Sequence, residues 1–587
     1  FIHSLLLIFY GRKVYQMNGF VILLICVAIL GAGYKIYGGW LAKEWGIDNA
    51  NETPAHTMAD GIDYVAAPAP VLMGHHFSSI AGAGPITGPI GAISLGFGWL
   101  ACLLWIIVGG IFFGGVHDYG ALVASVRHRG GSIGEIISVN MGKRAKRLFI
   151  IFAYLTLILV VAAFAAIVAS TFAAVFDAQG NVVIAKSVNQ ARVAMVSLLF
   201  IVIAMIFGYF VYRRNASMVT STIFGVAGIV FIIWLGITWH PLYLSHATWM
   251  WLVGLYIAIA SVTPVWILLQ PRDYLSSFLL YAMLAVAFIG VVVSQPSFSS
   301  LPLIESANCK TFVFPVLFTT IACGAISGFH SLVSSGTTSK QLDKETDAQP
   351  IAYGGMLLEC VLAVLTLCAC AYAFSWNQTH PNALLKGPVA IFGGGIAHMI
   401  DDTIPGTFDV LNTLLTLTYS AFCLTSLDTA TRLGRFMFQE FWLDSAKGET
   451  PDNVGGIRGF LANPYFATGI TVFFGVMLGM NGFAKIWALF GSANQLLAAL
   501  GLMAVAAWLK NISRNNKMFI IPTCFMLVVT ISSLALNTKD QWAIIQKGAN
   551  DWGPYSQVFF GVLLIVLAVE LAIEGYQVLS GKKSAEA

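Results

Sequence analysis

Charge is what this chain has least of. Of its 587 residues, 31 are Lys or Arg and 27 are Asp or Glu, together 10%, where an ordinary soluble domain carries about 25%. That scarcity argues against a string of soluble domains of 100–200 residues. The net charge of +4 sits in short loops and gives no basic face for nucleic acid. No Gly/Ser linker, acidic run or basic tail marks an attached module. Nine cysteines are present, but no C-x-x-C pair, and nearly all lie in apolar runs. They read as small buried side chains, not as a disulfide framework or a zinc cluster. A Walker-A phosphate loop and an H-E-x-x-H pair are also missing, which removes the sequence basis for ATP-driven pumping and for zinc hydrolysis.

What is abundant is apolar sequence: 58% of residues are hydrophobic and the mean hydropathy is +0.81. Runs of roughly 20 such residues are membrane-span candidates. About fifteen can be drawn, at approximately 17–37, 70–90, 92–126, 148–176, 190–212, 217–239, 248–269, 275–296, 312–336, 351–375, 408–433, 462–481, 484–509, 517–536 and 556–577. The shorter Gly-rich run 389–400 is expected as a loop helix on the outer side. Residues 1–16, ahead of Met17, are read as a non-native or disordered leader. Basic residues collect in alternate loops: Arg127 to Arg147, Arg213 and Arg214, Lys340 and Lys344, Lys510 to Lys517, and Lys582 and Lys583. By the positive-inside rule those loops and the C-terminus face the cytoplasm.

Three spans carry residues that lipid-facing helices do not need. The second holds GHHFSSIAGAGPITGP (74–89), with His75, His76, Ser78, Ser79, Gly82, Gly84, Pro85, Gly88 and Pro89. Proline lacks the backbone donor and disrupts the preceding turn. Irregular backbone at membrane depth is tolerated only where protein or a cavity covers it. A discontinuous, solute-binding helix is therefore expected here, a Gly-rich close helix contact being the plainer alternative. The seventh span ends in SVTPVWILLQPRDYLSS (261–277), with Trp266 between two prolines and Arg272 and Asp273 at its inner end. It follows the second span by five and runs oppositely, the relation an inverted repeat requires. The ninth contains ACGAISGFHSLVSSGTTSK (322–340), in which Ser327, His330, Ser331, Ser334 and Ser335 recur at three- and four-residue steps, with Thr338 following. That stripe offers hydroxyls to a cation and an imidazole to a proton. The glycine–serine turn beside His330 has the wrong spacing for a serine hydrolase, and no enzyme is expected. Glu359 lies near the middle of the tenth span, where an ionised carboxylate is costly, so it is a candidate proton carrier. Asp428 and Arg432, four apart on the eleventh, share a helix face; they read as a structural pair, with Asp428 kept as a second coupling candidate.

These segments resemble the carbon starvation protein A family of bacterial inner-membrane transporters. The matching runs are 74–89, PVWILLQPRDYLSSFL (264–279), TIACGAISGFHSLVSSGTTSK (320–340), YGGMLLE (353–359), SLDTATRLGRFMFQE (426–440) and LFGSANQLLAA (489–499), with DGIDYV (60–65) on the loop before the second span. The resemblance covers Met17 to about residue 510. It implies an all-α polytopic protein with a LeuT-like five-plus-five inverted repeat and broken helices. The divisions expected are 17–69 for the first helix and its inner loop, 70–269 for the first repeat (ending with the start of the second), 248–482 for the second, and 484–587 for peripheral helices. It also implies ion-coupled uptake, by protons or alternatively Na⁺, of peptides or pyruvate, in a multi-pass inner-membrane protein. The substrate would meet residues 75–84 and Trp266; the ion or proton would meet the stripe from Ser327 to Thr338, Glu359 and Asp428. No cofactor, resident metal or nucleic acid is expected; the partners are the solute and the lipid bilayer, and a homo-oligomer is compatible. A membrane nutrient sensor without net transport is the alternative; the inner loops, of about 20–30 residues, are too short to hold an output module of their own.

Overall fold

The computed structural model describes residues 18–60, 64–214, 216–264, 267–309, 311–443, 449–451, 453–480, 483–548 and 551–582. The expected leader 1–16 and Trp266 lie outside the described residues. Among those described there is no β-strand, only isolated bridges. The principal helices in chain order are α1 (Gly19–Trp45), α2 (Ala69–Ile80), α3 (Gly84–Leu95), α4 (Trp99–Arg127), α5 (Lys143–Phe172), α6 (Ile184–Val211), α7 (Met218–Thr238), α8 (His246–Val262) and α9 (Leu269–Ser294). There follow α10 (Val313–Ile321), α11 (Gly328–Gly336), α12 (Gly354–Thr379), α13 (Phe408–Trp442), α14 (Pro464–Gly479), α15 (Phe483–Asn511), α16 (Lys517–Gln546) and α17 (Gly553–Leu579).

Among the described residues, twelve helical stretches are long and apolar enough to cross a membrane; α10 and α11 together form one of them. The shorter α8 and α14, and the broken pair α2–α3, account for the rest of the fifteen spans expected. The chain is a multi-pass membrane protein. The run 389–400 falls within short helical pieces, Gly387–Val389, Ala390–Gly394 and Gly395–Asp401, in the connection before α13.

Most of the basic loops gather at one end. There Arg127 pairs with Glu345, Lys146 with Glu440, and Arg458 with Glu449. Lys510 donates to the last carbonyls of α17, Val578 and Leu579. At the opposite end the Gly19 amide meets the Pro296 carbonyl, and the Gly98 amide that of Ile304. The centre is built by α5, α13 and α15, whose middles are almost wholly enclosed. Helix α7 is peripheral and turns Val219, Ile223, Phe224, Val230, Phe231 and Trp234 outward, the pattern of a lipid-facing surface.

Two breaks set the geometry of the centre. Between α2 and α3 the chain leaves the helix at Ala81, and Gly82 bonds back to the Ile80 carbonyl. Pro85 then sits in the first turn of α3, where its missing N–H costs nothing. Between α10 and α11 the break runs from Ala322, at φ +44°, to Ser327. The breaks cross. A Cβ on Gly84 would fall on the Cys323 side chain, and one on Gly88 on the Ile321 backbone, so only glycine permits this approach.

The second break described is thus in the ninth span, while the segment suspected at the end of the seventh includes residues 265–266, outside the described ones. Helix α8 ends at Val262 and α9 begins at Leu269, as two separate helices. Arg272 and Asp273 both lie buried in protein in the first turns of α9.

Candidate functional site

The adjacent histidines of α2 are both buried and lead to different places. Successive residues on a helix point about 100° apart. His76 Nδ1 is 2.8 Å from Thr338 Oγ1, beyond the end of α11. His75 Nδ1 faces Asp273 Oδ2 on α9 at 3.3 Å. Each histidine borders a separate cluster of ionisable groups.

The His76 side holds carboxylates and imidazoles. Asp118 of α4 is fully buried; its Oδ2 is 2.7 Å from His330 Nδ1 and its Oδ1 is 2.8 Å from His117 Nδ1. The other ring nitrogen of His330 is 3.4 Å from Glu359 Oε2 on α12. Both Glu359 oxygens, His76 Nε2, His117 Nε2 and Ser334 Oγ are buried without a hydrogen-bond partner. No lysine or arginine among the described residues forms an ion pair with Asp118 or Glu359. A π-turn at Gly110–Gly114 precedes His117 and Asp118, a local widening often found at functional sites. Its glycines let α4 approach closely: a Cβ on Gly110 would strike Cys360, and one on Gly114 the Ala325 carbonyl.

The broken helix beside this cluster is capped from another span. Asn494 Oδ1 accepts from the Phe329 amide at 2.9 Å, and its Nδ2 donates to Ser327 Oγ at 3.0 Å. Gln495 Nε2 donates to the Phe318 carbonyl at 2.8 Å. The SANQ run (492–495) of α15 thus satisfies backbone groups that the break releases, a side chain from a distant helix acting as the N-cap.

The His75 side is organised round a permanent cation. Arg272 forms ion pairs with Asp428 and, at 3.0 Å, with Asp273. Tyr256 of α8 donates to Asp428 at 2.8 Å and accepts from Arg272 at 2.7 Å. Asp428 therefore pairs across helices with Arg272, not with Arg432 four residues on. Arg432 instead donates to the Ala260 and Thr263 carbonyls, at 2.8 and 2.7 Å, where α8 ends. The expected pair is replaced because released carbonyls at a helix end attract a guanidinium.

The structure brings His76, His330, Glu359 and Thr338 into one region. Ser331 lies beside the α4–α15 contact at Gly501 and His117, and donates to the Gly328 carbonyl. Ser335 is turned to another neighbour: it donates to Ser331 O and accepts from the Ile133 amide. Ser78 and Ser79 donate to carbonyls of their own helix, at Gly74 and His75. Gly82 packs against Ser426 and Phe164. His117 and Asp118 were missed from sequence, although the dipeptide HD (117–118) inside a long apolar run was a visible signal. Asn494 carried no such signal, because a capping role depends on which helix end lies opposite.

The sequence pattern of the family described as "Carbon starvation protein CstA" matches residues 18–380 and 375–533. A "Peptide transporter CstA" of Campylobacter jejuni is 31% identical, over 87% of this chain and 79% of its own length. The "Pyruvate/proton symporter BtsT" of Escherichia coli is 30% identical, over 89% and 82%. Among solved structures, that of MhsT in complex with L-phenylalanine aligns over 87% of this chain and 99% of its own, at 13% identity and a TM-score of 0.47.

Proposed function

This chain belongs to the carbon starvation protein CstA family, and from that premise we propose that it is a proton-coupled secondary transporter for a small organic solute, a peptide or pyruvate. The family's named relatives are transporters, one of them a proton symporter, so transport rather than catalysis is the activity assigned. One observation carries the coupling ion: Asp118, Glu359 and the imidazoles of His76, His117 and His330 are buried together, and among the described residues no lysine or arginine pairs with either carboxylate. Two ionised carboxylates cannot stay enclosed without compensation. Among the described groups only protons on these side chains supply it.

In this reading His330 passes a proton between Asp118 and Glu359, which lie on opposite nitrogens of its ring. Of the groups with no internal partner, His76 Nε2 and Ser334 Oγ are the ones assigned to the solute. Helix breaks are natural solute and ion sites in such proteins, since protein rather than lipid covers the irregular backbone. Na⁺ is the alternative occupant of the Ser334 hydroxyl.

The order of elements supports an inverted repeat with revised limits. A broken helix, two long helices, a short helix and a long one occur as α2–α3, α4, α5, α8 and α9. The same order returns as α10–α11, α12, α13, α14 and α15, with α6 and α7 inserted in the first copy. The basic end is assigned to the cytoplasm of the bacterial inner membrane, which puts the C-terminus inside. Reporter fusions after residue 582 and within 297–309 check that orientation.

Reconstitution in liposomes tests the function. Labelled pyruvate and a dipeptide are offered under an imposed pH gradient and, separately, an Na⁺ gradient. Accumulation driven by the pH gradient is the expected outcome. Uptake no faster than in protein-free vesicles, with solute binding intact, would favour a sensor.

A further inference from the structure

We propose that Cys323, His330 and Glu359 form a binding site for a divalent cation of the zinc class, and that its occupation stops transport. The three residues each offer a ligand atom, all within 4.8 Å of one another and all buried. His330 Nε2 and both oxygens of Glu359 have no hydrogen-bond partner, so an imidazole lone pair and a carboxylate converge on the Cys323 sulfur.

The surroundings match those of a built metal site. A ligating histidine usually gives its other nitrogen to a carboxylate, which fixes the ring. His330 Nδ1 is so held by Asp118 at 2.7 Å, and Asp118 in turn by His117 at 2.8 Å. The Cys323 sulfur is oriented by Asn494 Nδ2 at 3.6 Å. Ligand atoms on a tetrahedral zinc stand roughly 3.3–3.8 Å apart, given bonds of about 2.0–2.3 Å. His330 and Glu359 already stand at 3.4 Å, so small rotamer adjustments of Cys323 complete the set. The thiolate selects against magnesium and calcium and for zinc, cobalt or cadmium. The thiol proton leaves to water as the metal enters, and a water or solute oxygen takes the fourth position.

The consequence follows from where the ligands lie. Cys323 is within the break between α10 and α11, His330 is beyond it in α11, and Glu359 is on α12. A bound metal ties both sides of the break to a third helix and occupies the carboxylate assigned above to the proton. The block on transport rests on that assignment; the binding does not.

The full chain, purified in detergent, is titrated with Co²⁺ as a spectroscopic probe. Expected are one cobalt per chain, the intense visible bands of a tetrahedral site and a thiolate-to-cobalt charge-transfer band, all displaced by Zn²⁺. C323S should lose the charge-transfer band, and H330Q should bind Zn²⁺ at least about tenfold more weakly. A wild-type spectrum showing only the weak bands of hydrated cobalt overturns the proposal, whatever the variants do. In liposomes Zn²⁺ should stop uptake by the wild type and leave uptake by C323S at that variant's own metal-free rate. Equal inhibition of both overturns the assignment to Cys323. A tetrahedral cobalt spectrum in a protein that moves neither solute supports the metal site while refuting the transport reading.

Discussion

The two buried ionic clusters, reached from neighbouring residues of one helix, solve the same problem in opposite ways. Round Arg272 two carboxylates, Asp273 and Asp428, share a guanidinium, and a tyrosine hydroxyl bridges part of the group. One carboxylate charge there is balanced by a guanidinium that does not change state, and Asp273 also faces His75. Round His330 two carboxylates meet imidazoles and, among the described residues, no lysine or arginine. Its charge must be compensated by something that arrives and leaves. The first cluster suits a fixed brace between α8, α9 and α13; the second suits a coupling site.

The comparison can be broken by removing one member of each cluster. Arg272→Ala should have the largest effect on folding. It strands two buried carboxylates and should cost about 3–5 kcal/mol, read as a large fall in melting temperature or loss of protein from the membrane. Survival of a fully stable R272A protein would show that the brace is not one. Glu359→Gln should do the reverse. It removes a carboxylate with no fixed partner, so the melting temperature should hold while pH-driven uptake falls to the level of protein-free vesicles. Exchange of labelled for unlabelled solute, which needs no net proton movement, should survive better than gradient-driven uptake. A variant that still accumulates solute against its gradient would remove Glu359 from coupling.

Smaller effects sharpen the division. Asn494→Ala withdraws the cap on α11 and should cost about 1–2 kcal/mol, as loss of a good cap does, measurable by thermal unfolding in detergent. Because α11 carries His330, the same variant should also slow uptake more than its stability loss explains. Thr338→Val removes the partner of His76 Nδ1 and should cost only about 1 kcal/mol. Its informative readout is the solute KM: a rise with unchanged stability supports His76 at the solute, and no change in either quantity counts against it.

Much of this was legible in the chain. The fifteen spans follow from hydropathy, and the broken second span follows from Gly and Pro where a lipid-facing helix would have none; the ninth span reads as a polar stripe, and its break shows only in the structure. His76, His330 and Glu359 stood out because ionisable groups in apolar runs are rare. Other features were not legible, for identifiable reasons. The break in the ninth span was hidden because its Ser and Gly residues suit a continuous helix with a polar face equally well. Asp428 was paired with Arg432 because only neighbours on one helix can be read from spacing, whereas its actual partner is 156 residues away. Asp118 drew no notice because α4 has no proline-marked break there, yet it holds His330 across 212 residues.

The sequence by itself determined that the chain crosses the membrane many times and that its second span cannot be one continuous helix. Both depend on local chemistry: apolar side chains favour hydrocarbon, and every backbone group there must find a partner within its own segment or in covering protein. Only the tertiary structure decided which polar side chains meet. Two residues hundreds of positions apart share a cluster through the packing of glycine faces and the rotation of each helix. That is why adjacent histidines, indistinguishable in the sequence, serve a fixed ionic brace on one side and an uncompensated site on the other.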